Sequence, residues 1–536
     1  MGIPHYFYVI TRSYEGILLS KLPKNVTCNH FMMDYNGLIH PASYKYLKNI
    51  ENKKPKDIEK EIIKEVWNTT QDIIDIVKPT KTVEIFIDGV APIAKMNQQR
   101  RRRFLAIKRK KMINQDIIWD SNAISPGTTF MTKLHASIRA YIRHNKKDFN
   151  YYFSSSDEAG EGEHKLFERL NRLYSSSEDV KLIYGMDADL IMLSLLSHIK
   201  NIYLLREKQQ SLEEFIYLDI DKLRIGIIKD LKYNYGFRCS QNAIDDSYCI
   251  EAKQLIESYI VICFLLGNDF LPHSIGLQLK KGGLEEILQQ ASKLWNELDI
   301  PVVDIETETI QWTFIAKLLE SLSKTEDKKF FDELYRYFNK KPFFDTEEQE
   351  LEAYPLINKD ENVKYLLFNI DRNKWRSHYY NKLLNCKIND STVIINSCSM
   401  YLTGILWIYQ YYKRKNYDPN WYYPYLYPPT LRDIANFLNV NINLYDNMHK
   451  YWVQKYKKHL FVNPIIQLIS ILPRESKNCL PIKYQKLMTE NKMLEYLYPD
   501  EYQLSTFLKN YLWECSPILP NMNIKLVERE FNNIKI

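Results

Sequence analysis

Glycine is scarce in this chain, 15 residues in 536, and its distribution is lopsided: fourteen lie at or before Gly283, and only Gly404 lies after it. Glycine supplies the positive-φ turns and close backbone approaches that a functional site needs. The first half is therefore expected to hold the turn-rich, site-bearing architecture, and the second half to be mostly helical. Cysteine is sparse too. Eight scattered thiols form no CxxC pair and no Cys/His spacing suited to zinc, so reduced and mostly buried thiols are expected. Apolar runs such as YIVICFLLG (Tyr259 to Gly267) fall far below the ~20 residues that cross a bilayer, so no membrane span is expected. The N-terminal MGIPHYFYVI has no basic stretch leading into an apolar one, and Tyr6 stands where a myristoylation signal carries Ser or Thr. A mature intracellular start is the expectation. No repeat at solenoid periods is visible.

Charge of one sign is also missing, from one place. Between Lys95 and Lys111 there are nine basic residues and no acidic one, and taking those nine from the chain's 73 basic residues leaves 64 against 66 acidic. The whole positive excess thus sits in one segment, which suits a polyanionic partner. KMNQQRRRRFLAIKRKKM contains neither Pro nor Gly and predicts a helix. Lys95, Gln99, Arg102 and Arg103 are spaced i, i+4, i+7 and i+8, so they share a face able to clamp a terminal phosphate. The alternatives are a nuclear-localisation-like run or a solvated face.

Acidic residues recur where buried elements end. HFMMDYNGLIH places Asp34 after an apolar run, TVEIFIDGVAP places Asp88, KLIYGMDADLIML places Asp187 and Asp189, and YIVICFLLGNDFLPH places Asp269. Strand-like runs alternating with helix-length segments predict a parallel α/β sheet, whose ligands gather at the carboxyl ends of its strands. Glu161 and Glu163, in SSSDEAGEGEHKLF, would join them from a glycine-flanked turn. Any one of these acids alone would be read as a helix cap or a solvated loop. Seven carboxylates at one place need cations, and Mg²⁺, with its preference for oxygen ligands, fits; two ions ~3.5–4 Å apart would serve an in-line phosphoryl displacement.

Several motifs, in this order, carry a resemblance. MGIPHYF, MDYNGLIH, IDGVAPIAKMNQQRRRRF, DSNAISPGTTFM, SSSDEAGEGEHKLF, YGMDADLIMLSLLSH, LLRE and CFLLGNDFLPH resemble the first conserved region of the Xrn-type 5′→3′ exoribonucleases. KWRSHYYNKL, GILWIYQYYKRKNYDPNWYYPYLYPP, NPIIQLISILPRESKNCLPIKYQKLM and WECSPILP are similar, more loosely, to the second. The resemblance implies a PIN/FEN-like parallel-sheet nuclease region (1–300) and a largely helical second region (351–536); the stretch between them reads as a charged helical connector (301–350), whose charge over about 320–350 suggests a surface helix or a mobile loop. It implies seven metal-binding acids, namely Asp34, Asp88, Glu161, Glu163, Asp187, Asp189 and Asp269, holding two Mg²⁺ ions with Mn²⁺ as a substitute. It also implies a 5′-phosphate pocket of Lys95, Gln99, Arg102 and Arg103, and a base-stacking pair of His40 and Trp421. On the residues alone, His40 reads as a structural histidine and Trp421 as core.

Three positions depart from the family pattern: Ile93 in place of a basic residue, Pro419 in place of Trp, and Leu426 in place of His. The large family members' appended domains are not matched. The expected activity is processive hydrolysis of 5′-monophosphorylated single-stranded RNA to nucleoside 5′-monophosphates by a monomer, with no membrane involvement, in the cytoplasm or alternatively the nucleus. Two other readings are a structure-specific flap or gap DNA endonuclease and a non-catalytic RNA-binding scaffold.

Overall fold

A computed structural model describes residues 2–50, 57–113, 118–145, 147–208, 211–359, 361–388, 391–456 and 461–534. Its centre is a seven-stranded sheet made of β1 (Leu18–Leu19), β2 (His30–Asp34), β3 (Thr82–Phe86), β4 (Asn150–Ser154), β5 (Lys181–Tyr184), β6 (Ile202–Lys208) and β7 (Ser211–Asp219). The spatial order is β1-β7-β6-β5-β2-β3-β4. β6, β5, β2, β3 and β4 run parallel; at one edge β7 pairs antiparallel with β6, and β1 pairs antiparallel with β7. The mixed, parallel-rich α/β class expected from the alternation is what forms. β2 is buried at all five positions, which is why it reads as an uninterrupted apolar run rather than an alternating one.

Strand order fixes where a site can be. From β2 the chain steps outward through β3 to β4, then returns to the other side of β2 for β5 and β6. The direction reverses between β2 and β5, and the crevice outside the carboxyl ends at such a reversal is where open α/β sheets bind ligands. Asp34 is the last residue of β2.

Side chains alternate across the sheet and feed two separate cores. Met32, Ile183, Leu204 and Leu218 enter one; Phe31, Met33, Val83, Ile85, Leu182, Tyr184 and Leu205 enter the other. Helices from the second half cover both faces. Trp312–Ser323, Ser391–Tyr412 and Leu431–Lys455 supply the first core, and Pro464–Ile471 supplies the second. The charged 320–350 stretch is no plain surface element: its helix Glu326–Asn339 sends Phe330, Leu334 and Tyr337 into a third cluster, and its charges largely occupy the other face.

Ser391–Tyr412 has 22 residues without a charge and a mean hydropathy of 1.4 over its most apolar window. Among the described residues this helix alone is long and apolar enough to cross a bilayer, against the expectation from the apolar runs. In the fold it is a core helix, with Cys398, Leu402 and Ile405 through Tyr412 buried.

Candidate active site

The acids converge on the reversal point. Asp34 ends β2, Asp88 lies two residues beyond β3, and Asp187 lies three residues beyond β5. Glu163 stands in the first turn of the helix Gly162–Tyr174, and Asp189 begins the helix Asp189–Ser197. The glycines of the EAGEGEHK turn have different tasks. Gly160 takes a φ of +100°, which a residue with a side chain rarely adopts. Gly162 instead permits close approach: a Cβ there would lie 2.9 Å from the Phe86 carbonyl oxygen, 3.1 Å from Asp34 Oδ1 and 3.3 Å from Asp88 Oδ1. Its N–H donates to Asp88 Oδ1 at 2.6 Å. The chain between the two glutamates therefore lies directly on the carboxylates of β2 and β3.

The seven acids are linked through charge as well as space. Burial, then Asp88 and Asp187, raise the Asp34 carboxyl well above its ordinary range. Burial and Asp189 do the same to Glu163. Asp189, 3% exposed, is pushed up to about 6 by burial and by Asp269. Cations face this crowd: Arg102 acts on Asp187, Arg206 also lies against Asp187, Lys165 lies against Asp88, and Lys95 bridges two further acids. Lys95 Nζ lies 2.8 Å from Glu161 Oε2 and 3.2 Å from Asp269 Oδ2. Burial disfavours its charge, but Glu161 and Asp269 outweigh that and hold the ammonium well above its usual range.

These cations do not saturate the site. Glu163 Oε2 is buried without a hydrogen-bond partner, and Glu161, Glu163 and His164 present ligand atoms that all lie within 4.8 Å of one another. An oxygen-rich, anionic donor set with an unpartnered buried carboxylate oxygen suits a hard divalent ion.

The phosphate face forms on the helix Ile93–Met112, as its composition predicts. Its four members nevertheless separate into two environments. Lys95 turns toward the acids. Gln99 Oε1 and Arg103 Nη1 are buried with no partner, while Arg103 Nη2 donates to Ser125 Oγ at 2.8 Å. Arg102 is exposed and lines a 720 Å³ cavity that Asp269 and Leu426 also border. His40 is open to solvent yet set deep among protein atoms; that crowding, followed by Arg102 and Arg103, pushes its imidazole down to about 4, so the ring is neutral.

Trp421 is 5% exposed and lies in the core, as its residue type alone suggested. It ends a column of rings: His164 stacks on Tyr411 at 3.8 Å, Tyr411 on Trp407 at 4.7 Å, and Trp407 meets Trp421 at 5.1 Å. Gly404 makes room for it, since a Cβ there would fall 2.6 Å from the Trp421 ring. Two departures from the family pattern meet directly: the Ile93 N–H donates to the Pro419 carbonyl at 3.3 Å.

Residues not singled out from the sequence complete the site. Tyr411 donates its hydroxyl to Glu161, and Tyr412 donates to Asp189 Oδ1 at 2.5 Å. Both come from the end of the charge-free helix. Their signal, two adjacent tyrosines in QYYKRK, is lost among 40 tyrosines.

Residues 1–208 match the family described as XRN 5′-3′ exonuclease N-terminus, and residues 249–366 and 358–535 match the Xrn1 helical domain. Human 5′-3′ exoribonuclease 1 is 29% identical over 600 residues, a span covering 98% of this chain and 34% of the human protein. The proteins of that name from Schizosaccharomyces pombe and Saccharomyces cerevisiae are 24% and 25% identical, covering 97% and 96% of this chain and 47% and 42% of their own lengths. The chain thus spans between about a third and a half of these curated relatives. The catalytic core of Rad2 in complex with DNA substrate aligns at 11% identity over 85% of this chain and 100% of that one, with a TM-score of 0.32, a slight likeness. With both family regions matched in order along nearly all of its length, the chain belongs to the Xrn family of 5′-3′ exonucleases.

Proposed function

We propose that this chain is a 5′→3′ exoribonuclease that removes nucleoside 5′-monophosphates one at a time from single-stranded RNA bearing a 5′-monophosphate. The carrying observation is the junction at Lys95, where the basic helix meets the acids at the sheet's reversal point. In this reading Asp34, Asp88, Glu161, Glu163, Asp187, Asp189 and Asp269 would hold two Mg²⁺ ions, with Mn²⁺ as a substitute. Bound divalent ions supply neutralisation of charge at the scissile phosphate and an acidified water.

The chain's own residues do the rest. Gln99 and Arg103, with buried polar atoms lacking partners, take the terminal phosphate; Arg102 faces it from the cavity, and Lys95 stands between phosphate and acids. A guanidinium fork suits a monophosphate's oxygens. Tyr411 and Tyr412 hold Glu161 and Asp189 in fixed orientation. His40, neutral and open to solvent, offers its ring to the first base, and we assign Trp421 as the far support of that stack. The enzyme acts as a monomer on decapped or cleaved RNA. All eight cysteines are free, which supports a reducing compartment, and we place the activity in the cytoplasm.

The test is a time course on one RNA, labelled at either end, with 5′-monophosphate, triphosphate or hydroxyl, with and without Mg²⁺. Immediate release of the 5′ label as mononucleotide, only from the monophosphate and only with Mg²⁺, is expected. Oligonucleotide products or indifference to the 5′ end would point to an endonuclease, and binding without cleavage to a scaffold.

A further inference from the structure

The cavity that begins at Asp269 and Arg102 reaches a second group of residues far from the acids in sequence. At that end stand Tyr511 and Trp513, 39% and 51% exposed, their rings 6.1 Å apart and within 9° of parallel. Large exposed aromatic rings held parallel offer faces to a planar partner. His5 meets the Trp513 ring edge-on at 6.1 Å.

The loop carrying them is held firmly. Glu514 accepts the N–H groups of Asn510 and Tyr511 at 2.7 and 3.2 Å, and the Lys340 ammonium donates to Asn510 Oδ1 at 2.9 Å while lying 5.4 Å from the Tyr511 ring centroid. Charge around the cavity is uneven, with seven Lys or Arg side chains against three acids. Of those acids, Asp269 pairs with Lys95, Glu333 with Lys281, and Glu514 serves the loop. The surplus is positive.

Resting on the exoribonuclease reading, we infer that Tyr511 and Trp513 form a stacking site for bases of single-stranded RNA lying on the 3′ side of the scissile bond. Continuity argues for this occupant: the same cavity holds Asp269 and Arg102 at one end and the two rings at the other, so a strand whose 5′ end sits on the basic helix has a path to them. Basic side chains follow its phosphates while aromatic faces take its bases, the combination that binds single strands irrespective of sequence. Such a site keeps hold of the strand while its 5′ end advances by one nucleotide.

The experiment compares a 5′-monophosphorylated trinucleotide with an unstructured RNA several times longer. Binding is read by anisotropy with Ca²⁺ in place of Mg²⁺, and hydrolysis with Mg²⁺, for the full chain and for Tyr511→Ala/Trp513→Ala, Trp513→Ala and Trp513→Phe. The double variant is expected to bind the long RNA about tenfold more weakly, to bind the trinucleotide unchanged, and to release the long RNA earlier. Trp513→Phe should restore most of the loss. If the double variant does not fold, Trp513→Ala carries the comparison. Unchanged binding of the long RNA, or equal loss for both lengths, overturns the stacking site while leaving the exoribonuclease reading intact. A wild-type protein that binds neither RNA overturns both.

Discussion

The two halves of the chain contribute different things to one site. The part up to Gly283 holds 14 of the 15 glycines, every strand of the central sheet and all seven acids. It brings the acids together through strand order and close backbone approach, at the cost of crowding like charges. The part after Gly283 contributes none of these acids. It supplies helices on both faces of the sheet, two phenols on buried carboxylates and a column of rings. Chemistry is placed by backbone geometry in one half; in the other, side-chain bulk dries and orients it.

The strongest test of that division removes charge from the first half. Asp187→Ala with Asp189→Ala should lower RNA hydrolysis by more than about 10³-fold, with folding retained by circular dichroism. Undiminished hydrolysis would place the activity elsewhere. Orientation from the second half should matter less: Tyr411→Phe and Tyr412→Phe each remove one hydroxyl from a carboxylate, and a loss of about 10–100-fold in activity or in metal affinity is expected, measured by Mg²⁺ titration.

Glycine separates the halves more sharply. Gly404→Ala pushes a methyl into Trp421 and Leu271, and should cost about 1–3 kcal/mol of stability in denaturant unfolding. Gly162→Ala presses on Asp34, Asp88 and the Phe86 carbonyl, and should chiefly weaken Mg²⁺ dependence. If the two variants exchanged phenotypes, the division would be wrong.

The last effect is one of pH, away from the acids. Glu326, 6% exposed, accepts the N–H groups of Leu431 and Arg432 at the start of a long helix, yet burial outweighs those bonds and pushes it from 4.5 up to about 7. An acid raised in the folded state contributes stability that is full below the unfolded value and lost as pH rises through the folded one. Between about pH 5 and 8, Glu326→Gln should therefore gain on the wild type by up to about 3 kcal/mol. A gap that stays constant with pH would show the carboxyl ionises normally.

Much of the site was legible because its signals are local. An acid at the end of an apolar run marks the end of a buried strand, and Asp34, Asp88 and Asp187 behave that way. A run with nine bases and no acid marks its helix equally plainly. What escaped depends on contacts between distant segments. Lys95 shares a helical face with Arg103, but spacing along one helix does not reveal that Glu161 and Asp269 stand opposite. Tyr411 and Tyr412 lie far along the chain from the carboxylates they meet. Trp421 is seated on Gly404, so the one late glycine was visible while its reason was not.

The hydroxyls of Tyr411 and Tyr412 also set an order in time. During synthesis all seven carboxylates have been made by residue 269, long before the ribosome reaches the helix that ends at Tyr412. A nascent or prematurely terminated chain therefore carries every charge of the site without the phenols that steady two of them. Until the late helix docks, Glu161 and Asp189 lack the hydroxyls that hold them in the finished fold.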